Sequence, residues 1–501
     1  MADSKPTSTG NISRQALDEQ DEIELALEKE RRKGRPLSTA GCLLRGILIS
    51  TVLVVIASCG GYFGVQAWIA RFTAQRDALI KDLRAKGEPL LAEDMAKYTA
   101  LPEGTNDLTD RFMEIIRNYL GHKPLSPEED LLPIIGTKGP AVVPGAGIPW
   151  AEEEIAKKYM ANRGWLREAE TLADLEGEVS FKRDYSQGFA LVIEEVQAVR
   201  GLVRDLQLQF QMQMRAGDRA GALRSLRAMF AVSNVLKREP LIISQLVRVA
   251  THGVSVSSTT EFLRNHQATP QEIAALREML DNDFRAALIR ALKGERATGL
   301  ITLSSTDFNQ LNNLTAGGPN TAPNIPMKAN VADMRPGDTA KLLEMLTEAI
   351  KVAEENDFPE TMKQFQIQEA NLKKMVADEK MALPWNRHML PGLLMPAVQA
   401  SGTAFARGTA SELALKAVLD VEEKMLALPP SERTKDAETA AIQEVLPIDP
   451  FTGEPMKYIV NDEGYKIYSV GRDGKDDTAT GGNQNNDSGV WIERTLPGAD
   501  K

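Results

Sequence analysis

Residues 192–216 read VIEEVQAVRGLVRDLQLQFQMQMRA. Within them Val192, Val196, Val199, Val203, Leu206 and Phe210 recur at steps of 4, 3, 4, 3 and 4. That is the period of an apolar stripe on an α-helix; a strand, whose side chains alternate, repeats every second residue. The stripe ends at Ala216-Gly217-Asp218, and Leu223, Leu226 and Phe230 open the face of the next helix. The pattern predicts two antiparallel helices joined by a short turn.

Further along, Pro240 stands where a helix can start. Thr269-Pro270-Gln271-Glu272 is a fuller signal: Thr269 can cap, Pro270 fits the first position, and Glu272 completes a capping box. Leu276, Leu280, Phe284 and Leu288 follow, so one helix is expected as far as Lys293-Gly294. Upstream, Leu108, Phe112, Ile115, Ile116 and Tyr119 share a face within Thr105–Leu120. Asp338 can cap a helix from Thr339 to near Asn356, another follows Pro359, and a third covers Ser411 to Leu428. The Pro384–Pro391 segment between them reads as a packed turn, with Asn386-Arg387-His388 as the alternative of a polar site. GDRAGAL at 217–223 resembles the turn and second helix of a tetratricopeptide unit, although no period of about 34 residues runs through the chain. The composition of the 501 residues, 43% hydrophobic and 5% aromatic, also favours helix over sheet.

Gly46 to Ala70 is a run of 25 residues without a charge. Roughly 20 apolar residues suffice for a helix to cross a bilayer, so residues 43–70 are expected to form a single transmembrane helix, with Tyr62 and Trp68 at one interface. Arg31, Arg32, Lys33, Arg35 and Arg45 precede it and Arg71, Arg76, Lys81 and Arg84 follow, a slight bias towards a cytoplasmic N-terminus. Ile56-Ala57-Ser58-Cys59 resembles a bacterial lipobox, which would make Cys59 a lipid anchor. Apolar residues continuing to Ile69 favour the helix instead. Gly60 and Gly64 form a GxxxG that permits close packing in a homodimer. Beyond the span, Phe72, Leu79 and Leu83 keep helical spacing in a stalk that Gly87-Glu88-Pro89 breaks.

Charge is unevenly placed. Residues 1–42 hold 8 acids and 7 bases, and 43–70 a single Arg, which leaves 62 acids against 51 bases for the remainder. An acidic body speaks against nucleic acid as a partner. Cys42 and Cys59 are the only cysteines, so the body has no disulfide and no Cys-ligated zinc or iron–sulfur centre.

At Leu446 the composition changes. Asp449-Pro450-Phe451-Thr452-Gly453 reads as a turn, and 456–460 and 465–470 as strands joined through Asn461–Gly464 into a hairpin. A Gly/Asp/Asn-rich stretch follows to Asp487. The expected fold class is mainly α: a single transmembrane helix, a body of irregular tetratricopeptide-like hairpins and a small C-terminal β-hairpin module. The expected divisions are a cytoplasmic disordered tail (1–42), the membrane helix (43–70), a stalk and first helices (71–132), a loop (133–150), a helical domain (151–302), a linker (303–337), a second helical block (338–445) and the hairpin with its polar tail (446–501).

The DPFTG turn, the tyrosine-bearing hairpin and YSVGRDGKDD at 468–477 resemble the C-terminal region of type II secretion major pseudopilins. The resemblance implies a calcium loop, with Asp473, Asp476, Asp477 and Asp487 at the matching positions. Calcium chemistry agrees, since the ion takes about six to eight oxygens from carboxylates and carbonyls. Composition alone also fits a solvated polar tail. The chain departs from pseudopilins in its apolar helix, which starts near residue 43 with no leading Phe and no Glu, and in the helical body that intervenes; filament assembly does not follow. LRAKGEP at 83–89, the Gly-Asp hairpins, Glu239-Pro240-Leu241-Ile242 and the DPFTG ending are together similar to a group of membrane-anchored proteins of planctomycete-type bacteria. That resemblance implies architecture and location, not chemistry.

The histidines, His122, His252, His266 and His388, fall at no ligand spacing, and no HExxH, GxSxG or phosphate-binding glycine loop is present. His252, in an apolar stretch, reads as a core residue. The expected function is therefore a non-catalytic, extracytoplasmic scaffold or binding protein of the bacterial cell envelope, anchored in the inner membrane through residues 46–70. The alternatives are a secretion or pseudopilus component and an extracytoplasmic enzyme without a known motif.

Overall fold

The computed structural model describes residues 24–26, 28–29, 39–265, 267–280, 282–304, 335–378, 389–478 and 487–493. Most of the expected tail and of the 303–337 linker, His266 and the Asn386-Arg387-His388 triplet lie outside these residues. The chain divides into two compact units, residues 1–71 and 72–501.

Helix α1 runs from Thr39 to Ala85. In the first unit its large apolar side chains, from Leu43 to Phe63, are exposed. Leu43–Ala85 is long and apolar enough to cross a membrane, and no part of its most apolar stretch is buried by the protein. Ser50 and Thr51 spend their hydroxyls on the Ile47 carbonyl, at 2.9 and 2.8 Å, so neither needs water.

In the second unit the last turns of α1 pack. Leu79, Ile80 and Leu83 meet Leu90, Leu300 and Leu343. The helix closes as a Schellman motif, with Gly87 left-handed (φ 71°), its N–H donating to Arg84 and that of Glu88 to Leu83, both at 3.0 Å. Then follow α2 (Ala92–Thr99), α3 (Thr109–Leu120), α4 (Glu153–Ala161), α5 (Gly164–Ala173), α6 (Glu194–Ala216), α7 (Arg219–Asn234) and α8 (Ile242–Asn265). After these come α9 (Pro270–Glu278), α10 (Phe284–Ser304), α11 (Arg335–Glu355), α12 (Phe358–Asp378), α13 (Met389–Ala427) and α14 (Lys435–Val445). A sheet of β1 (Lys457–Asn461), β2 (Gly464–Ser469) and β3 (Ser488–Glu493) ends the described chain.

The stripe in α6 is buried from Val196 to Phe210, whereas Val192 precedes the helix and is 69% exposed. Gly217 is left-handed and Asp218 caps α7 through the Gly221 N–H, giving the expected hairpin.

Three expectations need correction. The helix after Thr269 has its capping box but stops at Glu278; Asp283 caps a second helix, α10, through the Ala286 N–H at 2.9 Å. Lys293-Gly294 does not end α10. It lies inside, and glycine is required there because the Pro240 carbonyl oxygen would sit 1.7 Å from a Cβ. The helix expected from Ser411 begins at Met389, its backbone passing Pro391 and Pro396.

The hairpin forms with Asn461 opposite Gly464, and a third strand, read as polar tail, joins it in the order β1-β2-β3, all antiparallel. Tyr465, Ile467, Val490 and Ile492 turn one face into the same core as Val418 and Leu415 of α13. Tyr465 donates to Glu422 at 2.8 Å, and Arg264 of α8 to the Trp491 carbonyl at 2.6 Å. The sheet is thus continuous with the helical core.

Candidate functional site

The DPFTG turn is held by its aspartate. Asp449 is buried and accepts from the Phe451 N–H (2.8 Å), the Ser469 hydroxyl (2.9 Å) and the Val470 N–H (3.0 Å). Its own N–H donates to the Glu454 carbonyl, and Gly453 is left-handed (φ 77°). One carboxylate therefore fixes the turn and the end of β2 together, a positioning role at a site closed to solvent.

Left-handed Gly471 and Gly474 then reverse the chain. Asp473 accepts from the Lys475 N–H at 3.2 Å, within its own turn. Asp476 accepts from the Tyr468 hydroxyl at 2.8 Å and the Thr478 N–H at 3.0 Å. Asp487, at the start of β3, accepts from the Asp477 N–H at 3.0 Å. Burial, then Asp476 and Asp487, raise the Tyr468 phenol. Asp476, Asp487 and the backbone of Asp477 are thus neighbours, and Asp473 belongs to a separate turn.

A cation already sits beside them. Lys466 Nζ donates to the Thr478 carbonyl at 3.1 Å and lies over the Tyr468 ring. Burial lowers its ammonium, Asp487 opposes the shift and Arg264 adds to it. Among the described residues no three His, Cys, Asp or Glu side chains gather as a metal-holding group. Residues 479–486 of the loop lie outside the description. The donor types fit calcium, and the ammonium of Lys466 already lies beside them.

Beside this loop lies an open groove of about 490 Å³ between α12 and the DPFTG turn. Pro359, Met362 and Lys363 line it from α12, and Phe451, Gly453 and Arg472 from the other side. The two walls come close at Gly453, where an added Cβ would lie 3.6 Å from the Pro359 ring.

A buried polar network forms a second concentration of chemistry. Glu412 of α13 accepts from the Asn282 N–H and side-chain amide, both at 3.0 Å, and pairs with Lys416 at 3.0 Å. His252 Nε2 lies 3.1 Å from Glu412, off the line of a hydrogen bond, with its ring between Phe230 and Phe284. Burial pushes the Glu412 carboxyl up, but His252, Asn282 and Lys416 outweigh it and hold the group below the usual range. Asn282 also accepts from Arg248, whose guanidinium burial pushes down to about 10. Gln245 ties this helix to the carbonyls of Leu236 and Glu239 at 2.7 and 2.6 Å, and Glu239 pairs with Arg183 at 3.0 Å. The Glu239-Pro240-Leu241-Ile242 motif is therefore a structural joint. His252, Arg248 and Glu412 are each at most 3% exposed, so the network is closed to a substrate and binds helices to one another. No local pattern announces it, since Glu412, which joins it, lies 130 residues from Asn282.

Compared with family models, with curated proteins and with solved structures, the chain matches none.

Proposed function

We propose that the chain is a single-pass protein of the bacterial cell envelope, with a cytoplasmic N-terminus and an extracytoplasmic helical body that binds partners without catalysis. The observation that supports it most is α1: an apolar stretch that the protein itself leaves uncovered, followed by an acidic body without cysteine. Such exposure costs about 25 cal/mol per Å² in water and is relieved by a bilayer. With cysteines only at 42 and 59, Asn461→Cys gives one exposed thiol on the body. A membrane-impermeant maleimide is expected to label it on intact spheroplasts. Labelling only after lysis would reverse the topology, and recovery of the protein from the soluble fraction would remove the anchor. An acyl adduct on Cys59, found by mass spectrometry, would replace the helix anchor by lipid. No protein atom crowds Gly60 or Gly64, so a second copy can pack there, and cross-linking in membranes tests that dimer.

The second reading, a secretion or pseudopilus component, is favoured by the Asp476–Asp487 neighbourhood in a three-stranded sheet. In that reading Asp473, Asp476, Asp477 and Asp487 hold calcium, a charge-balancing ion that ties the loop to β3. The expected result is a melting temperature raised by calcium and restored by chelator, with a larger rise in Lys466→Met, which lacks the competing ammonium. Indifference to calcium in the wild type and in Asp476→Ala removes the metal from the reading.

A further inference from the structure

The groove between α12 and the DPFTG turn carries one charge that, among the described residues, nothing uses. Asp357 is spent capping α12, accepting from the Glu360 N–H at 3.1 Å. Glu360 accepts from Gln364 at 2.6 Å and from Lys363 at 3.2 Å, which pairs Lys363 as well. Arg472 is exposed and, among the described residues, has no hydrogen-bond or ion-pair partner. The backbone that leads to it is held from behind. Asp449 holds the Val470 N–H two residues before it, and the same carboxylate holds the Phe451 N–H on the same wall. A buried acid thus holds the backbone at Phe451 and two residues before Arg472, both of which line the groove.

We propose that this groove binds the C-terminal end of a peptide, its carboxylate on Arg472 and its last side chain against Phe451, Pro359 and Met362. A planar guanidinium pairs a carboxylate through two parallel hydrogen bonds, which a lone amide cannot reproduce. Among the described residues the trough is open along the flank of α12, which suits a chain that continues beyond its bound end; terminal-carboxylate capture is a known mode of peptide recognition. This goes beyond the anchored-scaffold reading and makes no use of the membrane, so the two can fail separately.

The test equilibrates the full-length protein in detergent micelles with a pool of N-acetylated tetrapeptides, randomised at every position, ending in free carboxylates. The same pool with amidated ends is run beside it, and bound peptides are quantified by mass spectrometry after gel filtration. The free-acid pool is expected to be retained about tenfold better, the scale of one charge-assisted contact. It should be enriched in apolar last residues. Arg472→Ala, at an exposed position, should abolish the difference without moving the melting temperature, and Arg472→Lys should restore part of it. Equal retention of the two pools, no retention of either, or an unchanged preference in Arg472→Ala overturns the proposal. So does displacement of the peptides by an equal concentration of inorganic phosphate, which would mark a general anion site.

Discussion

Among the described residues α1 and α13 are the two longest helices, 47 and 39 residues, and both are strongly apolar. Leu48, Leu53, Ile56 and Phe63 of α1 are 60–69% exposed, while Phe405, Ala410, Leu415 and Val418 of α13 are fully buried. The difference lies in what punctuates the apolar run. Residues 46–70 contain no charge, and Ser50 and Thr51 bond back to their own helix. In α13, Glu412, Lys416, Asp420 and Glu422 interrupt the run, and each has a named partner: Asn282, Glu412, Arg277 and Tyr465. Apolar length alone does not distinguish a helix that meets lipid from one that meets protein; the assigned charges do.

An arginine placed in each helix should break the comparison most visibly. Ala414→Arg puts an unpaired charge and extra volume at a fully buried site, a cost above roughly 5 kcal/mol that prevents folding of the body. Val54→Arg should leave the body's unfolding midpoint unchanged and instead cost about 2.5–3.5 kcal/mol of insertion. That loss is read as protein released from carbonate-washed membranes. A lowered midpoint in Val54→Arg would mean that the outer part of α1 supports the body.

Glu412→Ala is expected to cost roughly 3–5 kcal/mol in urea unfolding, because it strands the part-buried Asn282 N–H and side-chain amide and removes the carboxylate that pairs Lys416. A loss under about 1 kcal/mol would reduce the network to an ordinary set of contacts.

This network is also where the sequence was least legible. The stripe in α6, the capping box at Thr269 and the hairpin after Lys457 are local patterns, and each forms where its period or turn residues put it. The break before α10 is not local. Leu276, Leu280, Phe284 and Leu288 keep their spacing across it, and the chain turns where Glu412, 130 residues away, takes the Asn282 N–H. The start of α13 was hidden by Pro391 and Pro396, which normally argue against a helix. Strand β3 was hidden by the polar run before it, although Val490 and Ile492 point inward and Trp491 between them does not, the alternation of a half-buried strand. Of the four aspartates expected to act together, the pairing of Asp477 with Asp487 depends on β3 and so could not be read before that strand was known.

The inner end of α1 sharpens the contrast, since it behaves like α13. Glu88 pairs with Lys293 at 2.9 Å and with buried Arg296 at 2.5 Å. Glu88→Ala should destabilise the body by about 3 kcal/mol, leaving Arg296 without its carboxylate. Acid should act the same way. Burial raises the Glu88 carboxyl, but Lys293 and Arg296 win and hold it below its ordinary 4.5. Its contribution is complete above pH 4.5 and fades as pH falls through the lower folded value.

Glu295 has the opposite sign. Burial pushes its carboxyl up to about 7, against the Ile242 N–H at the start of α8 that pulls it down. The folded protein then holds a proton that the unfolded chain releases above 4.5, so stability falls as pH rises from 4.5 to about 7. Melting curves across that range should show the decline, and Glu295→Gln should flatten it. The smallest effect belongs to the cap of α9: Thr269→Ala should cost about 1 kcal/mol.

The core joining Leu108 to Ile492 has a consequence for synthesis. A ribosome releases the chain from its N-terminus, so the uncovered apolar helix emerges first and the residues that close the core emerge last. Until Glu412 and the strand carrying Val490 arrive, the polar groups of α8 and the faces of α6 and α7 wait without their final neighbours. Closure of that core therefore waits for β3, and a ribosome stalled before β3 holds the earlier helices with an open interior. Arrested chains of graded length, probed by protease, should change from sensitive to resistant only after β3 has cleared the exit tunnel.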